Sequence, residues 1–353
     1  MSAAARRYKI TPPMNTPQTS FGRRAFLGGV LATAGGALAT RAQSAATPDE
    51  AAGDAPAKPQ RNPMVYHFKI GVLDAWSISD GNMSFNKPLD LMWPEEDRPQ
   101  MKDWLVAHGE STSQIGFYIN VLLVRIGSEL VLFDSGFGPG SHPNRGWMID
   151  GLKQIGIAPE QITAALLSHA HADHLDGFIH GDKPAFPNAA FHYLPAEFDF
   201  WHAAAPDFSR SKRDKGALPK MIEQVRKGFE VLKPSWQRVK DGTELFGGAV
   251  TVMAAPGHTA GHAVFLIRSG NDSLLHLMDL AHHHGFMFHK PDWSIAFDHD
   301  PLESAATRKK FFAKAAAERT RCFGFHVPWP GLGNVLSHNE GYLWHGERWG
   351  WIA

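Results

Sequence analysis

From residue 64 onward the chain alternates between short apolar runs and polar turns, and this alternation predicts most of its elements. Residues 65–70 and 72–79 have strand spacing and close at the turn pair Asp80-Gly81. Residues 115–126 and 129–133 flank Gly127-Ser128, the pattern of a β-hairpin. Further short apolar strands are expected at 162–167, 249–254, 263–267, 273–278 and 322–326. Helical spacing covers 147–155, 212–232 and 301–318. The last opens on Pro301, whose missing N–H costs little in a first turn. Strands and helices mix without a strict strand–helix–strand rhythm, so the pattern predicts a layered α/β fold and not a doubly wound sheet. No internal repeat is present.

The N-terminal part has a different character. Phe21 to Leu27 read FGRRAFL, and a weakly apolar run of Ala, Gly, Leu and Val follows to about residue 39, with small residues from 39 to 46. This is the layout of a secretory signal peptide, and the pair Arg23-Arg24 makes it twin-arginine in type. The run is too short and too glycine-rich for a stable membrane span, which needs roughly 20 residues. No cysteine lies near the cleavage region to carry a lipid. The expected organisation is a signal peptide over 1–46, a flexible Ala/Pro-rich linker over 47–63 and one domain over 64–353. Either Met1 or Met14 fits as the start. The partners and location expected are the twin-arginine export machinery and the periplasm or exterior.

Charge narrows the function. Lys+Arg and Asp+Glu are both 35, so there is no basic excess of the kind that binds nucleic acid. The single cysteine, Cys322, excludes an intrachain disulfide and sits in an apolar strand, where an inert thiol is expected. Histidine stands out at 20 residues. It is the commonest metal ligand and a general acid–base group.

Four of the possible ligands lie in His169-Ala170-His171-Ala172-Asp173-His174, directly after an apolar strand. Alternation puts His169 and His171 on one side while the chain is extended. A helix starting at the next turn would send Asp173 and His174 to a neighbouring position, so one segment could serve two adjacent metals. Three more segments end an apolar strand on His or Asp: Pro256-Gly257-His258-Thr259-Ala260-Gly261-His262, Leu277-Met278-Asp279 and Gly324-Phe325-His326.

With Phe133-Asp134-Ser135-Gly136 upstream, these motifs in this order resemble the metallo-β-lactamase superfamily over about residues 64–349. The resemblance implies a four-layer αβ/βα sandwich of two mixed β-sheets with helices outside. It implies two divalent metal ions, zinc first, with manganese, iron or cobalt as alternatives. His169, His171 and His258 would hold one, Asp173, His174 and His326 the other, and Asp279 would bridge them. Asp134 would hold the ligand loops by hydrogen bonds, and His262 would support the site from behind or serve as a buried structural residue. The nucleophile implied is a hydroxide shared by the metals, with Asp173 as the catalytic carboxylate that orients it or passes its proton on.

The bridging Asp279 points away from penicillin hydrolysis. Stretches such as Glu197-Phe198-Asp199-Phe200-Trp201 and His326-Val327-Pro328-Trp329-Pro330-Gly331 resemble the branch of methyl parathion hydrolase-like and acyl-homoserine-lactonase-like enzymes. The function expected is hydrolysis of a small neutral ester-like substrate, a lactone or carboxylic ester, with phosphotriester hydrolysis as the alternative. A β-lactamase and an inactive metal-binding protein stand behind these. A homodimer is expected from relatives. Trp201, Phe137 and His282 are candidate substrate contacts; a pocket of large aromatics without Lys or Arg would fit both substrate classes and disfavour anionic phosphodiesters. The segments 92–93 and 101–104 fit a lid or an oligomer contact.

Overall fold

The structure is a computed structural model that describes residues 64–348 and 350. The signal-peptide and linker expectations, on residues 1–63, lie outside the described residues.

The first sheet follows the chain order: β1 (Val65–Ile70), β2 (Leu73–Asn86), β3 (Gln114–Ile126), β4 (Glu129–Phe133), β5 (Ala164–Leu166), β6 (Ala190–Tyr193) and β7 (Trp236–Arg238). Its first four strands pair antiparallel and the rest parallel. The second sheet does the same with β8 (Glu244–Leu245), β9 (Val250–Ala254), β10 (Ala263–Ser269), β11 (Asp272–His276), β12 (Arg321–Phe323), β13 (Leu332–His338) and β14 (Gly341–Gly346). There β11 and β12 are parallel and the other pairs antiparallel. The helices are α1 (Arg98–Ala107), α2 (Met148–Gln154), α3 (Ala172–Leu175), α4 (Pro195–His202), α5 (Leu218–Leu232), α6 (Phe286–His289) and α7 (Pro301–Glu318).

The two sheets face each other across an apolar core. Phe133 of β4 meets Phe265 of β10 at 5.3 Å between ring centroids, and Phe68 of β1 meets Phe323 of β12 at 6.4 Å. Helices cover the outer faces. Phe229 of α5 packs on Phe191 and Tyr193 of β6, and Phe312 of α7 stacks on Phe288 and meets Tyr342 edge-on. The apolar stripe of α5 (Leu218, Val225, Phe229, Leu232) recurs at helical spacing, which is why one face is buried. These layers form the expected sandwich of two mixed sheets with helices outside.

Several boundaries differ from the pattern-based expectation. The strand expected to stop at Asp80-Gly81 runs on to Asn86, with the register shifting between Ser79 and Gly81. Asp80 makes no solvent turn because its carboxylate is buried and accepts from the backbone N–H groups of Phe137, Gly146 and Met148. The helix expected from 212 begins at Leu218, with Pro219 in its first turn. The strand expected over 322–326 ends at Phe323, where Asn120 Nδ2 captures the carbonyls of Gly324 and Val327 and bends the chain into a loop. In segments 92–93 and 101–104 the buried side chains are Met92 and Met101: Met92–Trp93 pairs with Ser294–Ile295, the half-buried Trp104 rests on His283 and Phe286, and Lys102 and Asp103 are exposed.

Candidate metal centre

The strand β5 delivers the chain to Ser168 in the core, and His171 still has extended backbone angles just before α3 begins. His169 and His171 therefore leave on one side and Asp173 and His174 on the next turn. At the end of β11 the backbone reverses through Met278, at φ 47°, which swings Asp279 into the same space. Asp279 N–H donates to His262 Nε2 at 3.2 Å, and His262 Nδ1 donates to the Ala255 carbonyl at 2.9 Å. His262 thus fixes the Asp279 backbone. It stays neutral, its pKa pushed down to about 3 by burial and the nearby His258. His258 enters from a turn in which Gly257 has φ +125° and lies against the Ser304 backbone at the start of α7, leaving no room for a side chain.

Two donor sets converge on Asp279. In one, His169 Nε2 and His258 Nε2 each lie 2.9 Å from His171 Nδ1, with His258 Nε2 3.1 Å from Asp279 Oδ2. In the other, His326 Nε2 lies 3.3 Å from Asp173 Oδ2 and 3.4 Å from Asp279 Oδ2, while His174 Nε2 lies 3.2 Å from Asp279 Oδ1. The expected ligands are brought together, and all are buried.

The outward-facing nitrogens tell which way the lone pairs point. His258 Nδ1 donates to Asp298 at 2.7 Å, His174 Nδ1 to Asp134 at 2.6 Å and His326 Nδ1 to the Tyr118 carbonyl at 2.7 Å. Ser168 Oγ donates to Asp134 Oδ2, so it accepts from His169 Nδ1 at 2.9 Å. A neutral imidazole carries one N–H, so whenever these four rings are neutral it is the Nε2 lone pair that faces inward. His174 Nε2 and Asp279 Oδ1 are buried without a hydrogen-bond partner among the described residues. Converging lone pairs and carboxylates of this kind are stable around a cation. The residues fit divalent metals, and imidazole and carboxylate without thiolate suit zinc or its neighbours.

The electrostatics show carboxylates drawing positive charge to the centre. Burial holds His169 and His171 well below the usual histidine range, helped by His174 and Arg213 respectively. Against the effect of burial, His174 and then His326 hold Asp279 well below the carboxylate range. Burial opposes protonation of His326 too, but Asp279 and Asp173 outweigh it and raise the ring to about 9.

Groups behind the ligands were only partly foreseen. Asp134, as expected, ties His174 to Ser168. Glu197, to which no role was assigned, is fully enclosed and joins two ligand loops. It accepts from Ala170 N and Trp201 Nε1 with Oε1, and from Thr259 Oγ1 and Gly261 N with Oε2. Its only sequence signal is an acid one turn before a tryptophan on a helix, which is too common to read. Asp298 behind His258 and the buried Arg308, which donates to the carbonyls of Leu280, Pro291 and Trp293, were likewise missed.

A cavity of about 160 Å³ opens over the donor sets. His282 lines it, with Nε2 3.1 Å from Asp279 Oδ2 and its ring stacked on His326. The other two candidate contacts are corrected. Trp201 does not line the cavity: it is wholly buried behind His171, because its indole N–H is spent on Glu197. Phe137 is turned away as well, stacked under the Arg145 guanidinium. Nor is the wall free of basic residues, since Arg213 forms part of it beside Met83, Phe85 and Phe297. Among the described residues no helix is long and apolar enough to cross a membrane.

The sequence profile of the metallo-beta-lactamase superfamily matches residues 115–326. A probable metallo-hydrolase of Mycobacterium bovis is 29% identical over 196 residues, covering 48% of this chain and 59% of its own length. The N-acyl homoserine lactonase AttM of Rhizobium johnstonii is 29% identical over 140 residues, covering 38% of this chain and 47% of its own. The chain thus spans about half the length of the curated relatives it matches. In three dimensions it is similar to AidC, a dizinc quorum-quenching lactonase solved with a product N-hexanoyl-L-homoserine. The TM-score is 0.78 at 30% identity, over 81% of this chain and 98% of that one.

Proposed function

The chain belongs to the metallo-β-lactamase superfamily, and from that premise we propose that it is a metal-dependent hydrolase of small neutral ester-like substrates, lactones first among them. The observation that carries this reading is the pair of donor sets meeting on Asp279 at the floor of a largely apolar cavity. His169, His171 and His258 would hold one divalent ion, Asp173, His174 and His326 the other, and Asp279 would span both. When bound, zinc at these positions activates water and polarises the substrate's carbonyl oxygen.

The chain's own residues supply the rest. Met83, Phe85 and Phe297 give the substrate an apolar wall and keep bulk water from it. Asp173 lines the cavity and faces His326, which places its carboxylate to take the attacking water's proton. Water adds to the acyl carbon, the ring C–O bond breaks, and Asp173 passes the proton to the leaving alkoxide, so a hydroxy acid results. The similarity to AidC and AttM favours an N-acylated homoserine lactone as the substrate class.

The test is turnover of an N-acyl homoserine lactone and of methyl parathion, in parallel, by the zinc-loaded protein. Far faster lactone opening is expected. Faster loss of methyl parathion would move the chain to the phosphotriester reading, and turnover of neither would overturn the hydrolase reading for these classes.

A further inference from the structure

Arg213 is a cation in the cavity wall with no carboxylate in direct contact, Asp173 and Asp298 acting on it only from a distance. Its guanidinium lies over the Phe297 ring, 5.0 Å from the centroid, and donates to the Phe297 carbonyl at 3.2 Å. The same terminal nitrogen lies 2.9 Å from His171 Nε2. Among the described residues no carboxylate lies within ion-pair distance of it, and its Nε–H has no hydrogen-bond partner. Burial pulls its pKa down to about 10, which leaves it charged at any physiological pH. Its buried, unpartnered Nε–H, beside Met83, Phe85 and Phe297, is costly unless something bound in the cavity supplies an acceptor.

The His171 ring sharpens this. Its Nδ1 faces the other donors. For Nδ1 to ligate a metal, the single proton of the neutral ring must sit on Nε2. Nε2 is then a donor, and the Arg213 N–H that faces it needs an acceptor elsewhere. The cavity, which Arg213 lines, is where a bound molecule can provide one. Arg213 also sits on the edge of His171 turned away from the donor sets. It therefore reaches the part of a substrate beside the reacting carbonyl, and not that carbonyl itself.

We propose that Arg213 recognises a carbonyl oxygen a few bonds from the bond that is broken, such as the amide oxygen of an N-acylated lactone. It then makes the enzyme selective for acylamino lactones over plain alkyl lactones. The inference rests on the lactonase reading. A site built to donate to a substrate acceptor discriminates strongly against the analogue that lacks it, because its buried donor is then left unpaired.

The experiment compares kcat/KM for N-hexanoyl-homoserine lactone and α-heptyl-γ-butyrolactone in zinc-loaded wild type, Arg213→Met and Arg213→Lys. Calorimetric binding of the N-hexanoyl-homoserine lactam, which resists opening, gives a readout independent of turnover. In wild type the acylamino lactone should be preferred by about tenfold or more. Arg213→Met should remove most of that preference and weaken lactam binding by a similar factor, and Arg213→Lys should keep part of both. Equal slowing of the two lactones with unchanged lactam affinity would assign Arg213 a structural role and overturn the inference alone. A wild type that opens neither lactone would overturn the lactonase reading, and the inference with it.

Discussion

Asp134 Oδ2 lies 2.6 Å from His174 Nδ1, with both side chains fully enclosed. The carboxylate fixes the tautomer that turns His174 Nε2 toward Asp279, and it also receives Ser168, which orients His169. One acid thus sets the direction of rings in both donor sets.

Replacing Asp134 with Asn tests that relationship. The residue has φ 55°, a conformation Asn tolerates, so the fold should survive. Asp134 accepts three donors on its two oxygens and an amide has one accepting oxygen, so in either orientation its NH2 opposes a donor of Ser168 or His174, and metal affinity should fall about 10- to 100-fold. Titration against a competing chelator measures this. Chelation of the wild type should also lower its melting temperature, because metal bound only to the folded state stabilises it.

Glu197 joins the loop of His169–His171 to the loop of His258, as an acceptor for four donors. Glu197→Gln puts N–H groups where donors already point. A loss of about 2–4 kcal/mol in denaturant unfolding is expected, with weaker metal retention. Unchanged stability would mean the two loops hold their places without it.

Cys322 is buried in β12, and burial pushes its thiol up to about 12. The thiolate is the reactive form. Iodoacetamide at pH 8 should leave the folded protein unlabelled and modify Cys322 only after denaturation, as mass spectrometry would show.

Asp80 gives a pH dependence with a definite sign. Burial raises its pKa from 3.8 to about 7, even though the N–H groups of Phe137, Met148 and Gly146 favour the anion. An acid whose folded pKa is raised binds more protons in the folded state. Its contribution is therefore whole below pH about 4 and is lost as pH rises to about 7, by an upper bound of about 4 kcal/mol. Denaturant curves for wild type and Asp80→Asn should show the wild type's relative stability shrinking across that window. A difference independent of pH would contradict the assignment.

The export reading rests on Arg23 and Arg24 in the sequence FGRRAFL. Changing both to Lys should hold the precursor in the cytoplasm, and cell fractionation would detect it. Undiminished export would remove the twin-arginine assignment.

The candidate ligands that the fold brings together were legible because the chemistry is carried by local order. A histidine or aspartate at the end of an apolar strand, repeated in four segments, is a pattern in the chain itself, and strand alternation followed by a helical turn separates its two directions. The layered class was legible for the same reason, since hydrophobic period is a local property. What surrounds the ligands was not. Glu197, Asp298 and Arg308 look like ordinary charged residues until the fold buries them against backbone donors and carbonyls far along the chain. Trp201 left its expected place, and Arg213, to which none was assigned, lines the cavity, both for a tertiary reason. The indole found an acceptor in Glu197 one turn away and sank into the core, while the loop before α5 left the guanidinium in the cavity wall. Which side chains are candidates for metal chemistry follows from their positions along the strands. Which of them meet the substrate depends on hydrogen bonds between distant segments, and only the folded chain decides those.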